Sequence, residues 1–270
     1  MRTFLEEIVA ARRKQLEATR TPTDDLQKAA EGRAERRDFA AAVKGDYLRV
    51  IAEMKHASPS RGLLRLEYRR REIAQAYESA GAAALSVVTE EHFFLGSLND
   101  LAEARAAVGL PVLRKDFILD ACQVYESVVA GADALLLIVA ALSDEDLRHL
   151  IELCQRLRIA ALVEVHTEEE LGRALGAGAI IVGVNNRNLK TLEVNLATSF
   201  RLRTRIPSEC LAISESGIRT PTDVRRLAEA GYDAVLIGER LITEPDPGKA
   251  LAELLVPFQL FQPNARDGSR

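Results

Sequence analysis

From about residue 48 onward, short apolar runs alternate with longer stretches whose apolar residues recur at helical spacing. The runs are continuously apolar, a pattern typical of strands that are covered on both faces. Helices between them would supply the crossovers that parallel strands require. The pattern predicts eight strands, at 48–52, 83–88, 111–113, 134–139, 160–163, 180–184, 211–213 and 234–237. It predicts helices between them at 68–79, 98–108, 122–130, 143–157, 167–175 and 220–230.

A short glycine-centred segment occurs four times in this region. AGAAAL at 80–85 returns as AGADAL at 130–135, loosely as AGAII at 177–181 and as AGYDAV at 230–235. The glycines lie 50, 47 and 53 residues apart, where a predicted helix ends and a strand begins, and that position favours a left-handed residue. Four units of two βα pairs predict an α/β fold, a (β/α)8 TIM barrel. An open doubly wound sheet is the alternative, but the chain has no GxGxxG or GxxxxGK[ST] motif.

The first 45 residues are charge-rich and lie outside this pattern. Apolar residues at helical spacing predict one helix near the start and a short one near residue 40, from Phe4, Ile8, Val9, Phe39 and Val43. The sequence TPTD at 21–24 is a turn or a helix start. We expect an N-terminal helical extension (1–45) packed on a barrel (46–256), and a C-terminal tail (257–270) whose polar end, 262–270, is frayed.

Composition excludes several classes of protein. With 47% hydrophobic and 28% charged residues the chain is typical of globular domains, and a net charge of −4 gives no support for nucleic-acid binding. The basic run 69–71 is flanked by Glu67 and Glu72, which favours a solvated helix face. The start is an amphipathic helix rather than a signal peptide, and the longest apolar run, 134–142, is too short to span a bilayer, which takes about 20 residues. We expect a cytoplasmic protein without a membrane partner.

The cysteine and histidine patterns predict neither disulfides nor a metal. Cys122, Cys154 and Cys210 are odd in number and far apart, which is typical of reduced packing residues. Glu164 and His166 lie two apart at a strand end, but no third ligand is apparent. We therefore expect no metal site.

Charged residues follow the first predicted strand directly. Ile51, Glu53 and Lys55 alternate along the chain and so share one face. An acid and a base beside an apolar residue are costly unless they are paired or used. A solvated edge strand is the plain alternative. The loop SPSRG at 58–62 follows, and α/β enzymes place their chemistry at such strand ends.

A barrel brings the carboxyl ends of all eight strands to one mouth. The polar side chains expected there are Glu53, Lys55, Ser58, Ser86, Lys115, Glu164, Asn185, Arg187 and Glu215. Two lysines and three glutamates would converge on one cavity. That is a general acid/base constellation, in which close opposite charges keep one another ionised and tune the pKa values.

The ends of the seventh and eighth predicted strands carry glycines as well as polar residues. SESGI at 214–218 and LIGER at 236–240 each carry a glycine where backbone amides can approach a ligand. Taken singly, Ser-Gly and Ile-Gly are more often simple turns. In tandem they predict a phosphate cradle, formed by Ser216, Gly217, Leu236, Gly238 and Glu239.

Four motifs together resemble the indole-3-glycerol phosphate synthase family: IAEMK with SPS at 51–60, LRKDF at 113–117, GVNNRNL at 183–189 and SESGI at 214–218. The resemblance covers about residues 1–256. It implies an enzyme of tryptophan biosynthesis that converts 1-(2-carboxyphenylamino)-1-deoxyribulose 5-phosphate to indole-3-glycerol phosphate, with loss of CO₂ and water and without a cofactor. The implied partner is this small anionic substrate, and we expect a monomer or weak homodimer.

The resemblance also implies roles for the charged residues. Lys115 would be the general acid that protonates the substrate's keto oxygen as the ring closes. Glu164 would act as acid/base in the later dehydration. Lys55, held by Glu53, would bind the substrate carboxylate or serve as a second acid.

Other family positions imply binding roles. Asn185 and Glu215 would orient the hydroxyl and anilino groups, and Ser58 would assist the phosphate cradle. The anthranilate ring would lie between aromatic walls, and further substrate contacts are expected, from Phe93 or Phe94, Phe117, Ser86 and Arg187.

The chain departs from the family pattern at two positions. Glu239 stands where a Ser or Thr usually follows the glycine of the eighth strand, and His56 follows Lys55 where a second basic residue is common. A carboxylate beside a phosphate is repulsive. We therefore expect Glu239 to offer its N–H while its side chain turns toward Arg240 or Arg219.

Two other functions fit parts of the sequence. Phosphoribosylanthranilate isomerase is another phosphate-binding barrel, but its reaction wants a Cys and an Asp, and neither occurs at the expected strand ends. A non-catalytic sugar-phosphate sensor could keep the glycine loops but would have no need of Lys115 and Glu164.

Overall fold

Eight parallel strands close into a barrel in the computed structural model, which describes residues 3–18 and 23–259. The strands are β1 Arg49–Met54, β2 Ala84–Val88, β3 Val112–Lys115, β4 Ala134–Ile138, β5 Ala160–Val165, β6 Ile181–Asn185, β7 Leu211–Glu215 and β8 Ala234–Ile237. β1 pairs in parallel with both β2 and β8, which closes the ring. The predicted (β/α)8 TIM barrel is confirmed.

Helices precede and separate the strands. They are α1 Phe4–Ala18, α2 Thr23–Gly32, α3 Phe39–Val43, α4 Arg70–Ser79, α5 Leu98–Ala107, α6 Ala121–Ala130, α7 Asp144–Arg156, α8 Glu168–Gly176, α9 Ala197–Arg203, α10 Pro221–Glu229, α11 Glu239–Ile242 and α12 Pro247–Gln259. A 3₁₀ turn, Val139–Ala141, follows β4, and a two-stranded ribbon, Ala57–Ser58 with Gly62–Leu63, lies in the loop after β1. The sequence predicted α4–α8 and α10 within two residues at each end, but not α9, α11 or α12.

Local chemistry explains where the helices start and end. Side-chain oxygens cap the first turns of many of the helices, among them those of Asp38, Ser97, Asp120, Ser143, Thr167 and Thr220. The four repeated glycines after α4, α6, α8 and α10 all have positive φ, from 86° to 104°. This confirms the left-handed position that the repeat predicted.

Side chains fill the barrel in layers. Ile51, Leu113, Leu162 and Ile213 point inward and pack against one another in the interior. The next inward position along each of these strands is a charged residue at the mouth, namely Glu53, Lys115, Glu164 and Glu215. β1, β3, β5 and β7 therefore run two residues further than the apolar pattern indicated. The charges end the apolar run but not the ladder of strand hydrogen bonds.

The extension packs at both ends of the barrel. Phe39 and Val43 of α3 join the interior cluster and close its amino-terminal end. Three arginines before α3 donate to backbone carbonyls at the ends of barrel helices and strands, namely Arg33, Arg36 and Arg37. At the mouth, α1 places Arg12 against Asp116, with 2.6 Å between Nη2 and Oδ1.

Parts of two predictions lie outside the described residues. These are the first two positions of TPTD, residues 21 and 22, and the polar end of the tail, 262–270. The last helix, α12, reaches Gln259 and so includes the first residues of the predicted tail. None of the helices within the described ranges combines the length and apolar character that a membrane span requires.

Candidate active site

The barrel mouth opens on a cavity of about 320 Å³. Most predicted site residues line it: Glu53, Lys55, Ser58, Phe94, Lys115, Phe117, Glu164, Asn185, Arg187, Glu215, Ser216, Gly217, Leu236, Gly238 and Glu239. The structure does not bring Ser86 and Phe93 to the cavity wall.

Lys115 lies at the centre of a buried charge cluster. Its Nζ donates to Glu215 Oε2 at 2.6 Å and to Glu164 Oε2 at 3.3 Å, and both carboxylates are almost fully buried. Across the floor, Lys55 Nζ donates to Glu53 Oε1 at 2.6 Å. The acid and base that share a face after β1 are thus paired with each other.

The pairing sets the pKa values of these groups. Burial disfavours the charge on Lys115, but Glu215 and Glu164 outweigh it and raise its pKa above the usual range. Burial alone would raise the pKa of Glu164, but Lys115 and His166 lower it to about 2. Burial raises the pKa of Glu215, to about 7, although Lys115 opposes the shift. Two carboxylates around one ammonium therefore differ in proton affinity, as an acid/base site requires.

The backbone after β7 forms a tight turn at one end of the cavity. Ser216 and Gly217 have φ of 67° and 80°, and the left-handed region is strained for a serine. Asn186 holds the turn, because its Nδ2 donates to the carbonyls of Glu215 at 2.9 Å and Ser216 at 3.1 Å. Sequence reasoning quoted Asn186 within a motif but gave it no role.

Gly238 directly follows β8 and lines the same cavity as the turn at Ser216 and Gly217. A Cβ at this position would lie 2.1 Å from Glu53 Oε1 and 2.9 Å from its Cδ. The glycine therefore makes room for a buried carboxylate, which is a second reason for its presence besides the predicted approach of a ligand.

The chain matches a protein-family model, Indole-3-glycerol phosphate synthase, over residues 5–254. The chain belongs to the indole-3-glycerol phosphate synthase family. Proteins of that name in Chloroherpeton thalassium and Polaromonas naphthalenivorans are 50% and 48% identical to it. The matches cover 89% of this chain and 95% of the first relative, and 94% of this chain and 99% of the second. The family consists of carboxy-lyases of tryptophan biosynthesis, and the family resemblance read from the motifs is confirmed.

Solved structures add the fold alone. A thiamine phosphate pyrophosphorylase from Pyrococcus furiosus superimposes with a TM-score of 0.59 at 15% identity, covering 79% of this chain and 96% of that one. The likeness reflects the shared barrel architecture and says nothing about the substrate.

Glu239, at which this chain departs from the family pattern, has a partner that the sequence did not predict. Glu239 Oε1 accepts from Arg61 Nη1 at 2.9 Å, across the mouth from the loop after β1. The expected partners do not hold it: Arg240 pairs with Glu244 at 2.6 Å, and Arg219 is an exposed residue at the cavity rim. The correction follows from the ribbon after β1, which carries Arg61 to the rim of β8.

The aromatic wall differs in part from the expectation. Phe94 and Phe117 line the cavity, with ring centroids 6.4 Å apart. Phe93 instead packs edge-on against Phe4 at 5.5 Å, and Phe4 is the ring that reaches the cavity. Sequence reasoning missed Phe4 because the extension's helix could not be placed over the mouth without the fold.

Ser86 is placed in the barrel interior and not at the cavity. It shares the inward face of β2 with Ala84 and Val88, and it is fully buried at the level of Glu53. Val88, two residues later, is the β2 residue that lines the cavity. Ser86 does not line the cavity, and the substrate contact expected from it stays a prediction.

A buried charge network surrounds Asp116, the residue that follows Lys115. Asp116 accepts from Arg114 at 2.9 Å, from Thr89 at 2.6 Å and from Arg12 of α1 at 2.6 Å. Sequence reasoning quoted Asp116 only as part of a motif. Within 3–18 and 23–259, no three His, Cys, Asp or Glu side chains form a group that could hold a metal ion.

Proposed function

We propose that this cavity binds 1-(2-carboxyphenylamino)-1-deoxyribulose 5-phosphate and converts it to indole-3-glycerol phosphate, with release of CO₂ and water. The observation that carries the proposal is the ammonium of Lys115, buried between two carboxylates on the floor of a cavity that ends in a glycine-rich turn. Ring closure requires an aromatic carbon to attack a ketone, and a positioned proton donor makes that ketone electrophilic.

Lys115 is the proposed general acid. Its raised pKa keeps it protonated in the resting site. As the carbon that bears the carboxylate bonds to the keto carbon, the keto oxygen takes the proton from Nζ. The carboxylate then leaves as CO₂, and its bonding electrons restore the aromatic ring.

Glu164 is the proposed acid/base of the dehydration. In this step the former keto oxygen takes up a proton and leaves as water, and the adjacent methylene carbon, which is bonded to the nitrogen, loses a proton to form the indole double bond. Its Oε2 faces Lys115 Nζ at 3.3 Å, so the two groups can act on the same part of the intermediate. Lys55, held by Glu53, is placed to pair with the substrate carboxylate or to act as a second acid. Asn185 and Glu215 complete the floor and would orient the hydroxyl and anilino groups.

The two ends of the substrate have distinct proposed sites. The strained turn at Ser216 and Gly217, with Gly238 and the backbone at Leu236 and Glu239, would hold the phosphate, assisted by Ser58. Phe94 and Phe117 would flank the anthranilate ring, and Arg187 adds positive charge to the wall. Anchoring the remote phosphate fixes the ribulose chain, and its binding energy helps to orient the reacting atoms.

One assay separates this proposal from its two rivals. The purified chain is mixed with the carboxyphenylamino substrate, and the fluorescence of the indole product is followed. Turnover supports the proposal, whereas binding without turnover would indicate a sensor. Isomerisation of phosphoribosylanthranilate would favour the second enzyme, although none of the three free cysteines, all within the described residues, lines the cavity.

Three expectations accompany the proposal. The reaction uses no cofactor and no metal, so turnover should persist in EDTA. The chain works as a monomer or weak homodimer in the cytoplasm, and light scattering over a concentration series tests the assembly.

A further inference from the structure

His166 follows Glu164 by two residues at the end of β5 but does not line the cavity. Its Nδ1 lies 3.0 Å from Oε2 of Glu170, in the first turn of α8. Its Nε2 lies 3.4 Å from Oε1 of Glu164, a distance that allows an ion pair, although the two atoms do not meet hydrogen-bond geometry. The ring is only 11% exposed. It lies between Glu170, which is nearer the surface, and Glu164 in the floor of the cavity.

The arrangement of these atoms selects one protonation state. A neutral imidazole carries a proton on one nitrogen only and presents a lone pair at the other. With carboxylate oxygens at both nitrogens, either neutral tautomer would turn that lone pair toward an anion. The imidazolium alone turns no lone pair toward either carboxylate and places a positive charge between Glu164 and Glu170.

The charges in the floor lead to the same state. Three buried carboxylates, Glu53, Glu164 and Glu215, stand beside only two ammonium groups, Lys55 and Lys115. A buried carboxylate without a compensating charge is costly. A cation at His166 would add a third positive charge, directly beside the Glu164 carboxylate.

We propose that His166 is a positioning residue, an imidazolium that fixes the Glu164 carboxylate and keeps it ionised beside Lys115. The inference rests on the proposed function, because it gives meaning to Glu164 as the acid/base. His166 touches no substrate. It acts on the reaction through the orientation and charge of its neighbour.

The surroundings of the ring support this state. Burial lowers the pKa of His166, but the neighbouring carboxylates of Glu164 and Glu170 outweigh it and raise the pKa to about 10. Glu164 faces the ring from its own strand and Glu170 from α8. Behind Glu164 lie Lys115 of β3 and Asn185 of β6, which also favour the ionised carboxylate.

The alternative is that His166 has a purely structural role at the start of α8. Thr167 already caps that helix, with 3.1 Å from Glu170 N to its Oγ1. Glu170 Oε2 accepts from the backbone N–H of His166 at 2.7 Å. These bonds explain Glu170 and the backbone, but they leave unexplained why the Nε2 edge faces Glu164.

The protonation state can be measured without turnover. The chain has four histidines, so ¹⁵N-labelled imidazole signals can be assigned by substitution. We expect the His166 signal to be that of an imidazolium at pH 8, and its titration to move at least one pH unit lower in Glu170→Gln. Glu169→Gln, an exposed neighbour in the same turn, is the matched control and should leave it unchanged. A neutral His166 at pH 8 in the wild-type chain overturns the inference.

Kinetics test the consequence. His166→Gln should lower kcat roughly tenfold or more, as loss of a partner behind a functional group does, with KM within about twofold. In Glu170→Gln, activity should decline at a lower alkaline pH than in the wild type. If both variants lose only thermal stability and keep the wild-type pH profile, His166 serves the helix and the inference is wrong. No indole from the wild type would instead refute the proposed function.

Discussion

A Cβ added at Gly183 would lie 2.2 Å from Oε1 of Glu215. The two residues are on neighbouring strands, β6 and β7, and both face the barrel interior. Because Gly183 has no side chain, the Glu215 carboxylate can lie against β6 and still reach Lys115 with its other oxygen, at 2.6 Å. A backbone position without any functional group thus determines where a carboxylate of the site lies.

Gly183→Ala should therefore impair the site. The methyl group would displace Glu215 from Lys115, and we expect kcat to fall at least roughly tenfold. Gly172→Ala is the matched control, because it lies in α8 with nothing within 4 Å of an added Cβ. The control should keep its activity and gain up to about 1 kcal/mol in stability. Equal kcat in both variants and the wild type would show that Glu215 can shift without consequence.

Lys115→Met should remove the proton donor while keeping the bulk of the side chain. We expect kcat to fall by at least ~10² while substrate still binds. The change also removes the ammonium between Glu164 and Glu215, so the pKa of each should rise. Lys28→Met, an exposed lysine of α2, controls for loss of a charge. A Lys115→Met enzyme within tenfold of the wild type would contradict the general-acid assignment.

The barrel could be predicted because parallel strands covered on both faces are continuously apolar and their helices end at glycine. The ends of the strands could not be predicted, since a charged residue interrupts the apolar run without interrupting the hydrogen bonds between strands. Lys115 and Glu215 are each the last residue of a strand for this reason. The mouth residues were nevertheless found, because period two places them on the inward face.

The remaining features depend on side chains that meet across long sequence separations. Arg61 and Glu239 are 178 residues apart, and no local pattern links them. Phe4 reaches the cavity only because α1 folds over the mouth. Ser86 was expected at the mouth from its place in the strand, whereas the structure buries it inside the barrel at the level of Glu53.

Arg12→Met tests how the extension stabilises the barrel. Burial alone would raise the pKa of Asp116, but Arg114 and Arg12 lower it. A carboxylate with a lowered folded-state pKa contributes stability above its unfolded-state pKa and loses it as pH falls through the folded-state value. Arg12→Met should lower the free energy of unfolding at pH 7 by about 1.5–3 kcal/mol, the contribution of a hydrogen bond to a charged group.

The pH dependence distinguishes this effect from lost packing. Without Arg12 the pKa of Asp116 lies closer to its unfolded-state value, so stability should fall less between pH 7 and strong acid than in the wild type. Urea unfolding at several pH values measures the difference. Arg13→Met, an exposed neighbour on α1, should leave both the stability and its acid dependence unchanged. Parallel curves for Arg12→Met and the wild type would assign the loss to packing alone.

Substitutions of Arg61 and Glu239, which form an ion pair, should change KM in opposite directions. Glu239 is next to the proposed phosphate site, and its charge there is neutralised by Arg61. Glu239→Ser removes the anion and frees the guanidinium, so KM should improve, by less than roughly tenfold (~1.4 kcal/mol), with kcat nearly unchanged. Arg61→Ala leaves the carboxylate unpaired beside the phosphate, so KM should rise.

The double variant decides whether the two residues act as a pair. If Arg61 serves mainly to neutralise Glu239, Arg61→Ala should cost much less when Glu239 is already Ser, and the two effects will not add. Binding of inorganic phosphate, measured by calorimetry at two salt concentrations, reports the same coupling without turnover, and high salt should weaken it. Gly238→Val should be far more damaging than any of these changes, because its side chain would meet Glu53 as well as the ligand. Strictly additive effects, or a strong change of kcat in Glu239→Ser with little effect of Gly238→Val, would place the phosphate elsewhere in the mouth.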